Sequence, residues 1–162
     1  MRAALLALLL AAPAASAQDP APQEPAPPEP TPFADVALFA DMVGHSFVAK
    51  RRPPNLWTEE SDDVSFTYVH WDDPNLRCRL TNTPDWERVA QVTCGRLYPT
   101  EAETEAGLEA MLAAMAAVWG ERYDGRRVYT QEGGACVWVS RGYGEGPDGW
   151  FTSVTMEPRP CP

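Results

Sequence analysis

The chain has 162 residues, 17 prolines and a formal net charge of −10. That excess of acid repels phosphate backbones and anionic headgroups, which argues against nucleic-acid and membrane-surface binding. The length suits one core, and no stretch reaches the run of about 20 apolar residues that spans a bilayer.

The first segment, MRAALLALLLAAPAASA, has Arg2 as its charged start, an apolar run from Ala3 to Ala12, and Ala15 and Ala17 in an A-x-A arrangement. This order of features predicts a secretory signal peptide over residues 1–17 and places the mature protein in the periplasm or outside the cell. Residues 18–32, QDPAPQEPAPPEPTP, hold seven prolines in fifteen positions and no large hydrophobe. They read as a proline-rich linker with an extended reach of up to roughly 45 Å. The remaining residues, 33–162, are expected to form a single globular α+β domain. Removing Arg2, Asp19, Glu24 and Glu29 from the 13 basic and 23 acidic residues leaves 12 and 20, a net charge of −8 for that domain.

A first helix is expected from Thr31-Pro32 to Gly44, with proline at the first helical position and Val36, Phe39, Ala40 and Val43 buried. Lys50-Arg51-Arg52 precedes a Pro-Pro pair and reads as a solvated loop. VSFTYVHW (64–71) and LRCRLT (76–81) are β-branched, aromatic or alternating, and so read as strands. Asp73-Pro74-Asn75 between them suits a tight turn. With Pro74 and Asn75 as the loop, Val69, Trp71, Cys78 and Leu80 share the inward face, and His70, Asp72, Arg77 and Arg79 share the outward one. A metal ion at His70 and Asp72 would then sit beside two guanidinium charges, so the stretch HWDDPNLRC reads as a turn near a disulfide. RVAQVTCGRLY (88–98) is expected as a third strand, with Cys78 opposite Cys94, Leu80 opposite Val92 and Asn82 opposite Ala90.

Thr100-x-x-Glu103 forms a capping box, and Leu108, Met111, Leu112, Met115 and Trp119 recur at helical spacing up to a stop at Gly120. After this second helix come a short strand near 127–130 and the strands ACVWVSR and WFTSVTM. A glycine-rich loop, Gly142 to Gly149, is expected to join the last two. The four cysteines form an even set in an exported chain, and Cys78–Cys94 with Cys136–Cys161 is the favoured pairing because each pair brackets one hairpin. The fold class is therefore α+β: two helices packed on an antiparallel sheet, read as two α-β-β-β halves with one disulfide each.

No nucleophile elbow, zincin, Walker or dinucleotide motif occurs, so the sequence calls for no cofactor or metal, and a catalytic site would have to be assembled from scattered acidic residues. Glu59 with Glu60 and Asp72 with Asp73 are neighbours on extended chain and point to opposite faces, unlike a glycosidase pair. His45 and His70 are the only imidazoles. Calcium at Glu145 and Asp148 lacks the ligand density of a calcium loop. Six tryptophans exceed the needs of one small core. Trp57 and Trp86 fall in proline-flanked polar segments and Tyr143 in the glycine-rich loop, which makes these three the candidate contact residues. The sequence thus favours a non-catalytic binding domain, protein-binding or inhibitor-like, whose partner is an envelope or extracellular protein. A carbohydrate or cell-wall ligand is the alternative, and an enzyme the third reading.

Overall fold

A computed structural model describes residues 32–45, 57–61, 65–85, 87–130 and 136–162. The expected leader, nearly all of the linker, Lys50-Arg51-Arg52 and Trp86 lie outside the described residues. Among these residues seven strands form one antiparallel sheet: β1 (Trp57–Ser61), β2 (Ser65–His70), β3 (Leu76–Asn82), β4 (Val89–Tyr98), β5 (Arg127–Tyr129), β6 (Cys136–Gly146) and β7 (Gly149–Arg159). Their spatial order is β1-β2-β3-β4-β7-β6-β5. Helices α1 (Pro32–Val36) and α2 (Glu101–Trp119) pack on one face, giving the expected α+β architecture. The first half carries one strand more than expected, because β1 precedes VSFTYVHW.

Both disulfides pair as expected, Cys78 with Cys94 and Cys136 with Cys161. Cys78 lies directly opposite Cys94 and Leu80 opposite Val92, but a shift between Thr81 and Asn82 sets Asn82 against Val89 instead of Ala90.

The β2–β3 hairpin corrects the expected faces. β2 ends at His70 and β3 starts at Leu76, and Tyr68 pairs with Cys78 and Val69 with Arg77. The loop holds five residues, Trp71 to Asn75, and this odd displacement from the expected register turns every β2 side chain over. Tyr68 and His70 therefore join Leu76, Cys78 and Leu80 inside, while Trp71 is 61% exposed. The turn is wide because the Asp73 side chain accepts the Asn75 amide (3.2 Å) and its carbonyl accepts that of Leu76 (2.9 Å). A two-residue turn has no room for this Asx arrangement.

The first helix is also altered, for one α-turn passes into a 3₁₀ segment, Ala37–Met42. Three residues per turn align Val36, Phe39 and Met42, and alongside them Ala37, Ala40 and Val43, all of which are buried. In α2, Thr100 Oγ1 accepts the Glu103 amide at 3.3 Å and donates to Glu103 Oε2 at 2.9 Å, while Gly120 ends the helix at φ 56°. The stripe Leu108, Met111, Leu112, Met115 and Trp119 is buried, and Trp119 Nε1 donates to the Ala37 carbonyl at 2.9 Å, joining the two helices.

Gly142 to Gly149 is not a loop. β6 and β7 pair without interruption to Gly146 opposite Gly149, leaving only Pro147 and Asp148 as the turn, with Gly149 at φ 117°. Gly144 and Gly146 are accommodated in the strand because Phe151 covers them: a Cβ on either would lie 3.7 or 3.3 Å from its ring.

Candidate functional site

His70, which the sequence places outside, sits in the core at 2% exposure. Its Nδ1 accepts the Asp72 amide at 3.2 Å, so Nε2 carries the hydrogen and donates to Asp35 Oδ2 at 3.1 Å. The ring meets Trp57 edge-on, with centroids 4.9 Å apart. Asp72 contributes only its backbone and its side chain is exposed, so the two expected neighbours do not converge. The group is a polar tie between α1 and β2. Among the described residues no set of three or more His, Cys, Asp or Glu is placed to hold a metal ion.

The candidate contact residues are dispersed. Trp57 is 7% exposed and packs edge-on against Phe39 at 5.0 Å, so it is core and not surface. Burial wins there because β1 lays Trp57 opposite His70 on the helix-covered face. Tyr143 is 44% exposed, on a strand instead of a loop. Trp86 lies outside the described residues.

The second sheet face has no helix on it among the described residues. Alternation puts Val137, Val139, Val154 and Met156 under α2 and sends Trp138, Ser140, Ser153, Thr155 and Glu157 to the open side. The floor of this open face is tied down by side-chain bonds. Thr93 and Thr155 hydroxyls meet at 3.2 Å, Gln91 Nε2 donates to Glu157 Oε1 at 3.0 Å, and Ser153 Oγ donates to the Gly142 carbonyl at 3.3 Å. Phe151, 37% exposed, stands at one end beside Leu97. At the other end Trp138 is flanked by guanidinium groups, Arg127 at 5.6 Å and Arg159 at 5.2 Å from the ring centroid, with Tyr129 41% exposed next to them.

No family model, characterised protein or solved structure matches the chain. The site is therefore read from its own geometry.

Both arginines have carboxylate partners. Asp124 Oδ2 accepts from Arg127 Nε at 2.7 Å, and Oδ1 accepts the amides of Arg126 and Arg127 at 3.0 and 2.8 Å. The Arg127 side chain and these amides hold the Asp124 carboxyl below its ordinary range. Arg159 in turn donates to Glu157 at 3.0 Å. Burial pushes the nearby Tyr123 phenol up, opposed in part by the charge of Arg141. Trp138 and Phe151 escape a search for tryptophans in polar loops because they lie within strands. Period-two counting from the apolar pair Val137 and Val139 is the signal that sends Trp138 outward.

Proposed function

We propose that this protein is an exported, non-catalytic binding domain that engages an envelope or extracellular protein through the open face of β4, β7, β6 and β5. The observation that carries this reading is the face that bears no helix among the described residues, with aromatic and arginine side chains at its ends and a hydrogen-bonded floor between them. Aromatic and arginine residues are the side chains that anchor protein interfaces, and a rigid floor lowers the ordering cost of docking. Protein is favoured over glycan because sugars need an open ring face to stack on, and Arg127 and Arg159 already lie over the Trp138 ring. An oxidising compartment agrees with two disulfides and no free cysteine among the described residues. No helix among those residues is long and apolar enough to cross a membrane.

The test is affinity capture from envelope extract with the tagged chain, run in parallel with Tyr129→Ala and Ser140→Arg, two changes at exposed positions of the open face. Wild type is expected to retain a protein that both variants lose, with unfolding midpoints close to wild type. Retention unaffected by either change, or retention of glycan alone, overturns the reading.

A further inference from the structure

The sheet has one long edge with no strand beside it among the described residues. On β6, β5 covers Cys136–Trp138, whereas β6 continues to Gly146. The Val139 amide donates outward, to the Arg126 carbonyl at 2.8 Å. Backbone groups alternate along a strand, so those of Arg141, Tyr143 and Glu145 also point outward, and those of Ser140, Gly142 and Gly144 serve β7. The turn agrees, since Gly146 and Gly149 close the hairpin on the inner side. This edge carries neither proline nor bulge, the devices that usually blunt an exposed strand.

Its charges are self-complementary. Two β6 edges can pair antiparallel only if outward-facing residues meet outward-facing residues. Centring the pair on Tyr143 sets Arg141 opposite the partner's Glu145, and Glu145 opposite the partner's Arg141. Neither charge is committed elsewhere: Arg141 has only a 3.7 Å approach to Glu109, both more than 60% exposed, and Glu145 has no ion pair among the described residues. Carried past Glu145, the same register brings the partner's turn, Pro147 and Asp148, alongside Val139. There a cleft of about 280 Å³ opens, lined by Leu112, Tyr123, Gly125, Arg126, Trp138 and Arg141 among others. Arg126 has no ion pair among the described residues, and the Asp124 loop holds its backbone in place. The tip to be seated carries an exposed carboxylate, Asp148. In a chain of net charge −10, the Arg126 guanidinium lining this cleft is where a second copy's acid can be received.

We propose that the protein forms a two-fold dimer by antiparallel pairing of the β6 edges about Tyr143, each hairpin tip seated in the other copy's cleft. The two sheets become one, and the open face runs across both copies. The proposal does not depend on what that face binds. It is tested by sedimentation velocity and light scattering of residues 18–162 over a wide concentration range. Wild type is expected to pass from monomer to dimer. Arg141→Glu or Glu145→Arg alone puts like charges opposite each other at both ends of the seam, and each should raise the dissociation constant about tenfold or more. The double reversal R141E/E145R should return it to within about threefold of wild type. Tyr143→Pro removes an outward amide that β7 does not use, so it should abolish the dimer and leave the monomer's circular dichroism unchanged. A chain monomeric up to millimolar concentration, even one whose edge takes up an unrelated acidic peptide, overturns the proposal. So does a dimer indifferent to the charge reversals.

Discussion

Exchanging His70 for alanine tests the inverted β2 face most directly. The bond from Nε2 to the Asp35 carboxylate has a charged acceptor, worth about 1.5–3 kcal/mol in general. Asp35 keeps 25% of its side chain in water and can be rehydrated, so the lower end, about 1.5 kcal/mol, applies here. Losing the edge-on contact with Trp57 adds about 1 kcal/mol. The space left beside Trp57 brings the expected cost to about 3 kcal/mol. For a domain of this size that is a fall of about 10 °C in melting temperature. Trp71→Ala, at 61% exposure, should change stability by no more than about 0.5 kcal/mol. Urea titrations followed by circular dichroism compare the two at equal m-value. A larger loss for Trp71→Ala than for His70→Ala would show that Trp71 faces the core, and the five-residue loop would be wrong.

Gly107→Ala should destabilise, by about 1–3 kcal/mol, although alanine is the better helix former by about 1 kcal/mol, because its Cβ overlaps the buried Tyr98 phenol. The urea midpoint checks this, and a rise in stability contradicts the close approach. On chain-entropy grounds, opening Cys78–Cys94, 16 residues apart, should cost about 3 kcal/mol and opening Cys136–Cys161, 25 apart, about 3.5 kcal/mol. Single-bridge double serine variants measured by calorimetry give both values. Asp124 is held below its ordinary value of 3.8, so its stabilisation is present above that pH and disappears as pH falls through the lower folded value. Asp124→Asn should therefore flatten the acid limb of a stability–pH curve, and an unchanged limb would show that the loop does not depend on this carboxylate.

Much of the fold was legible because its signals are local. The capping box at Thr100, the stripe from Leu108 to Trp119 and the stop at Gly120 each act within a turn or two of chain. The disulfides were legible because Cys78 and Cys94 occupy facing positions of one hairpin. The candidate site was far less legible. Trp57 looked exposed because its neighbours in sequence are polar, yet its neighbours in space are Phe39 and His70. Gly144 and Gly146 looked like a loop because the side chain that covers them as strand, Phe151, belongs to the facing strand.

The second helix with its cap and stop, the strands β2, β3 and β4, the favoured cysteine pairing and the acidic charge were read from the sequence alone, because propensity, capping and short-range register are set by residues close together in the chain. Which face each β2 residue takes, and which side of the sheet the described helices leave uncovered, was decided only in the tertiary structure. A strand's period is two, so one extra residue in the turn before β3 exchanges inside for outside. Turn length is settled by the Asp73 hydrogen bonds together with the burial of Tyr68 and His70 against α1, Trp57 and the paired cysteines, and those partners come together only when the whole sheet has formed.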